Sequence, residues 1–175
     1  FKQKTAYEIS TRDWSSDVCS SDLVQPRVLV CDEPVAALDV SVQAQVINLF
    51  MALREQRSLT YLFVSHNLQL VRLISDRVAI MYLGRVVESG PAPALFAEPA
   101  HPYTRALLEA APRLQGRSQG FVPVRGELPS PLNPPTGCAF HPRCPAATAR
   151  CREHTPVLQP FAAGREAACH LIHPA

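Results

Sequence analysis

The chain has 175 residues, enough for one ordinary domain or a domain with an appendage. Hydrophobic residues make up 47%, so it can bury a core, and a net charge of +2 is too small to argue for nucleic acid or an anionic membrane surface. No apolar run reaches the roughly 18 residues that a membrane span needs, and no secretory signal pattern opens the sequence. Most of the 17 prolines follow Gly90, which separates an α/β front half from a loop-rich back half.

Phe1–Leu23 differs from everything after it. It is serine-rich, repeats Ser-Ser-Asp at Ser15–Asp17 and Ser20–Asp22, and holds the only tryptophan, Trp14. Both lysines, Lys2 and Lys4, lie here, and from Val24 onward every cation other than histidine is arginine. No folding rule requires such a break. The segment resembles translated sequencing-adapter DNA. Residues 1–23 are therefore set apart as a non-native segment and left out of the fold argument.

Val28–Cys31 is a short, mostly β-branched apolar run followed by Asp32 and Glu33. Such a run reads as a buried strand of a parallel sheet, and ligand sites lie just beyond the carboxyl ends of such strands. Paired acids there can hold a magnesium ion through its water shell and orient a nucleophilic water. A helix of about 16 residues follows, with Val42, Val46, Leu49, Phe50 and Leu53 on one face and Ser41 as the N-cap. Thr60–Ser65 reads as a second buried strand ending at His66, whose imidazole could bond a phosphate oxygen. Asn67–Ser75 reads as a short helix. Arg77–Leu83 is a third strand, turning at Gly84-Arg85 into Val86–Ser89 as a hairpin. Strand, helix, strand, helix, strand predicts α/β structure with parallel crossovers.

The ordered set of apolar strand, Asp32-Glu33-Pro34, Ala37-Leu38-Asp39, helix, apolar strand and Ser65-His66 resembles the ATPase domain of ABC transporters. The wording from Val24 onward is similar to the ATP-binding subunits of the oligopeptide/dipeptide/nickel permease subfamily. The resemblance implies an α/β fold, the C-terminal part of a P-loop ABC ATPase domain over residues 24–90. It also implies an irregular cysteine-containing extension over 91–175. Asp32 then matches the magnesium-holding Walker B aspartate, Glu33 the catalytic glutamate, Asp39 the D-loop aspartate and His66 the switch histidine. ATP and Mg2+ are the implied cofactors. A second ATPase subunit and transmembrane permease subunits are the implied partners, without nucleic acid, and the implied location is peripheral, on the cytoplasmic face of a bacterial inner membrane. Asn67 stands where the family usually has aspartate, and Ala36 where serine is common. The sequence holds no G-x-x-x-x-G-K-[ST] loop, glutamine loop or Leu-Ser-Gly-Gly-Gln signature. The expectation is a fragment that does not turn over ATP alone, with aggregation-prone strands that lack sheet partners. Two readings from other classes stay open: a metal-binding module, or a docking fragment without catalysis.

Pro91–Ala100 reads as a proline-rich connection anchored by Leu95 and Phe96. His101-Pro102-Tyr103-Thr104 opens a helix, Thr104–Ala111, in which His101 and Tyr103 cap and pack. Arg113–Gln119 reads as a loop, and Gly126–Thr136, with four prolines, as an extended segment. Four cysteines follow, Cys138, Cys144, Cys151 and Cys169, spaced C-x5-C-x6-C-x17-C. The spacing fits structural zinc poorly. Four thiolates from irregular loops suit an iron–sulfur cluster, and Cys144-Pro145 repeats an arrangement of bacterial ferredoxins. Zinc, with His141, His154 or His170 as substitute ligands, and free thiols remain open on the residues. The resemblance points to a 4Fe-4S cluster on these four cysteines. Cys31 reads as a small buried residue.

Overall fold

The computed structural model describes residues 26–111 and 126–173. The segment 1–23 and the loop expected at Arg113–Gln119 lie outside the described residues. The chain divides into two compact units, separated between Ser65 and His66.

The first unit is one β–α–β turn of structure. Strand β1 (Val28–Asp32) and strand β2 (Thr60–Val64) pair in parallel from Val28–Thr60 to Asp32–Val64, joined by helix α1 (Val40–Arg57). The pleat alternates. Leu29, Cys31, Tyr61 and Phe63 turn to the covered side, while Val28 and Leu62 remain 58% and 59% exposed. Phe50 of α1 meets Tyr61 and Phe63 edge-on, with centroids 5.4 and 6.0 Å apart, and the Tyr61 hydroxyl donates to the Phe50 carbonyl at 3.2 Å.

Three details differ from the sequence reading. The strands have one covered face, where Phe50 of α1 packs, and one exposed face. Asp39, not Ser41, is the N-cap of α1. Of the expected helix face, Leu49 is exposed, while Ile47 is the buried side chain. Two strands offer a floor too narrow for the whole stripe.

The second unit opens with helix α2 (Leu68–Ile74), capped by Asn67. Its Oδ1 accepts from the amides of Gln69 at 3.1 Å and Leu70 at 3.2 Å. An aspartate would accept the same bonds, so the departure at Asn67 is structurally silent. Strands β3 (Arg77–Tyr82) and β4 (Arg85–Pro91) form an antiparallel hairpin around Leu83-Gly84. Both turn residues have positive φ, +45° and +77°, as a type I′ loop demands. The anticipated parallel crossover into β3 is not seen among the described residues, where β3 bonds to β4 in a separate antiparallel sheet. Its alternation, with Val78, Ile80 and Tyr82 buried and the residues between exposed, is that of a sheet with one wet face.

The back half contributes regular structure that the sequence reading left irregular. Pro91–Ala100 contains helix α3 (Ala92–Ala97), on which Leu95 is fully buried. Helix α4 (Pro102–Ala110) and the short helix α5 (Ala149–Glu153) follow, with a 3-10 turn at His141–Arg143. Strands β5 (Gln159–Ala162) and β6 (Arg165–Ala167) complete the sheet in the order β3-β4-β6-β5. The sheet thus runs across the division drawn at Gly90. The core gathers Val78, Ile80, Tyr82, Val87, Ala92, Leu95 and Phe140.

Glu88 sits at the centre of this unit, with no solvent exposure. Its carboxylate accepts from the amides of Ala100 and His101, both at 2.9 Å, and from the Arg165 guanidinium at 3.3 Å. Arg165 also donates to the Glu98 carbonyl. One acid therefore ties β4 to the start of α4 and to β6. His101 Nδ1 in turn accepts from the Tyr103 amide at 3.0 Å, so this ring caps α4.

Two stability effects follow. Glu88→Ala leaves Arg165 buried without its acid and should cost about 3–5 kcal/mol in urea denaturation. Burial lowers the His101 pKa from 6.5 to about 4, against the raising effect of Glu88. The unfolded chain takes up this proton near pH 6.5 and the folded chain only near 4. His101 therefore withdraws up to about 3 kcal/mol of stability as pH falls through that window, and none above it. Denaturation of wild type and His101→Asn at pH 7 and 4.5 should give a smaller pH difference for the variant.

Candidate functional site

The first cluster of candidates lies at the carboxyl end of β1. Asp32 is the last residue of the strand and is exposed, opposite Val64. Glu33 extends the ladder by one bond, its amide donating to the Val64 carbonyl at 3.0 Å. It does so with φ of +46°, in the left-handed region that bulky residues avoid. The chain then turns tightly, with Ala36 N–H on Glu33 O at 3.2 Å and Leu38 N–H on Val35 O at 3.2 Å. Gln43 of α1 clamps that turn, its amide donating to the carbonyls of Val35 at 2.9 Å and Leu38 at 3.0 Å. Asp39 closes the turn and its carbonyl accepts from Gln43 N at 2.8 Å. Two acids are thus fixed at one strand end, on the edge where parallel sheets hold ligands. His66 is exposed and opens the second unit, two residues past the end of β2 and next to the Asn67 cap. The sequence reading missed Gln43, because its two acceptors are backbone atoms of the turn and carry no side-chain signature.

The second cluster is the cysteine region. Cys138, Cys144, Cys151 and Cys169 all border one narrow cavity, together with His101, Phe140, His141 and His170. The cavity has about 10 Å³ of space, enough for about one water. Cys138 N–H donates to the Cys151 carbonyl at 2.8 Å, which fixes one pair. Phe140, only 2% exposed, sits between Cys138 and Cys144 in sequence and plugs the region into the core. There it meets Tyr82 edge-on at 5.3 Å and Tyr103 at 5.4 Å.

Burial raises the thiol pKa values of Cys138, Cys144 and Cys169. Backbone amides lower them in part and neighbouring cysteines raise them further. All five cysteines among the described residues are free thiols. Among those residues no three His, Cys, Asp or Glu side chains are grouped to hold a single metal ion. His154 does not border the cavity; its carbonyl accepts from His170 Nε2 at 2.9 Å, while its own ring is exposed beside Glu153. Phe140 and His101 are members of this site that the spacing of cysteines does not announce.

Residues 87–151 match the oligopeptide/dipeptide transporter, C-terminal region. The chain is 54% identical over 153 residues to a probable peptide ABC transporter ATP-binding protein of Sinorhizobium fredii, covering 87% of this chain and 43% of that protein. It is 54% identical over 149 residues to the di/tripeptide transport ATP-binding protein DppF of Pseudomonas aeruginosa, covering 85% and 46%. It is 50% identical over 151 residues to the oligopeptide transport ATP-binding protein AppF of Bacillus subtilis, covering 85% and 46%. Over 85–87% of its length the chain is thus similar to ATP-binding proteins of peptide ABC transporters. It spans less than half the length of these relatives. No described helix is long and apolar enough to cross a membrane.

Gly137 supports the cysteine site by close approach. A Cβ there would lie 2.5 Å from the Cys151 carbonyl oxygen and 2.7 Å from Arg152 backbone atoms, and φ is +68°. Gly137→Ala should force the Cys138 and Cys151 segments apart and destabilise the second unit by more than about 1 kcal/mol. Thermal unfolding, with thiol titration of the folded state, checks this: the variant should expose thiols that are slow to react in wild type.

Proposed function

We propose that this chain is part of the ATP-hydrolysing subunit of a peptide importer, in which the Asp32-Glu33 turn is the hydrolytic edge. The observation that carries the reading is the placement of both acids on one strand end, with Glu33 locked in a strained conformation by its neighbours. In the complete subunit Asp32 would hold magnesium, and Glu33 would orient the attacking water or take its proton. His66 bonds a phosphate oxygen, and Asp39 couples the site to that of a second ATPase subunit. Magnesium-ATP supplies the transferable phosphoryl group and the charge that these residues align. Transmembrane permease subunits are the further partners, and the assembly sits on the cytoplasmic face of the membrane. Solute choice resides outside this chain.

The sequence contains no phosphate-binding loop, so purified 1–175 should neither retain nor turn over magnesium-ATP. In the complete subunit, Glu33→Gln should keep nucleotide affinity while turnover falls by about 10²-fold or more. Turnover that survives this substitution would remove Glu33 from the hydrolytic step.

For the second cluster we propose a 4Fe-4S cluster on Cys138, Cys144, Cys151 and Cys169. The donor set fits: four soft thiols border one cavity beneath irregular loops. Holding the group would require this space, with room for about one water, to widen, and the ligating thiols to give up their protons. The group supplies a sulfur-rich cross-link among four loop positions, holding together a region with little regular structure. Anaerobic reconstitution should yield about four irons and four sulfides per chain, the stoichiometry of a cubane. Cys151→Ser should abolish them. Retention of one zinc per chain instead would replace this assignment.

A further inference from the structure

We infer that His101 donates a hydrogen bond from Nε2 to the sulfur of the group held by the four cysteines and thereby raises its reduction potential. The inference rests on the cluster reading above and adds to it a positioning residue outside the cysteine set.

Three histidines border the cavity, and backbone partners sort their ring nitrogens. His141 Nδ1 lies 2.9 Å from the Cys138 carbonyl, and a carbonyl only accepts, so Nδ1 carries the proton and neutral Nε2 is a bare lone pair. His170 Nε2 lies 2.9 Å from the His154 carbonyl, so its N–H is already committed. His101 is the reverse case. Its Nδ1 accepts from the Tyr103 amide at 3.0 Å, so Nδ1 must offer a lone pair and the proton sits on Nε2. That N–H makes no hydrogen bond among the described residues, although His101 is only 1% exposed. A donor on a ring at the wall of the cysteine cavity can serve an acceptor held there.

The ring is also fixed in place. Its backbone amide is held by Glu88 at 2.9 Å, Pro102 follows, and Phe140 packs against it with centroids 5.8 Å apart. A rigid donor beside cluster sulfur stabilises the reduced, more negative form over the oxidised one. In the test reaction one electron enters from dithionite and no proton moves, because His101 already carries its Nε2 proton.

The test uses the reconstituted full chain. Mediated titration with dithionite should place His101→Phe about tenfold lower in its equilibrium constant for reduction, 59 mV for a one-electron couple. His101→Gln, which retains an amide donor, should recover part of the shift. Electron–nuclear double resonance on the reduced wild type in H2O and D2O, with 15N-histidine, should show an exchangeable proton coupled to the cluster and to one labelled nitrogen. That measurement needs no variant, so a misfolded substitution does not leave the question open. An intact cluster without this coupling, or an unchanged potential in a folded His101→Phe, overturns the role of His101 and leaves the cluster standing. Failure of wild type to hold iron and sulfide removes the cluster itself, and this inference with it.

Discussion

The second unit depends on a single buried carboxylate. Glu88 has no exposure, and two segments distant in sequence satisfy it: the adjacent Ala100 and His101 amides, and Arg165 77 residues away. Taking a carboxylate out of water costs several kcal/mol, and only a full set of donors repays it. The arrangement leaves little freedom. The turn before α4 must present its amides to β4, and β6 must lie beside β4 with Arg165 directed inward. Gly90 permits that approach, since even a methyl group there would crowd Arg165 at 3.1 Å.

This framework is what carries the cysteine region. The Glu88-bound amide of His101 sets the ring that borders the cysteine cavity, and β6 ends two residues before Cys169. From the other side Phe140 packs against both Tyr82 and Tyr103, so the loop bearing Cys138 and Cys144 is part of the hairpin's core rather than an appendage. Thiols drawn from three segments then border one cavity without any one segment encoding a compact ligand motif. Apolar burial does the gathering, and a soft metal group would hold what burial has already brought together.

The first unit works on the opposite economy. A two-stranded parallel ribbon with one helix has a covered face and an open one, and Val30 is 67% exposed on the open side. Its order is local. Register, the Glu33 ladder bond and the Gln43 clamp together fix the turn from Asp32 to Asp39. Hydrogen bonds of short sequence separation can hold such a turn even where the apolar floor is small. The two strands pair with each other, which answers part of the expected lack of sheet partners, while their outer face remains uncovered among the described residues.

The sequence by itself determined the elements whose causes are local. Apolar runs marked β1, β2 and β3, Gly84 marked the hairpin, and His101-Pro102 marked the start of α4. The order of acids, helix and histidine carried the resemblance to ABC transporter ATPases. It also supplied the four cysteines, but not their meeting point. Tertiary structure decided everything that depends on partners distant in the chain. It paired β4 with β6 from the far end of the chain, in a sheet apart from β1 and β2, because no periodicity reports a partner. It exposed Leu49 and buried Ile47, because only two strands lie beneath α1. It turned Glu88 and Arg165, ordinary surface residue types, into a buried pair. It assigned the tautomers of His101, His141 and His170, because only neighbouring backbone groups decide which ring nitrogen keeps its proton.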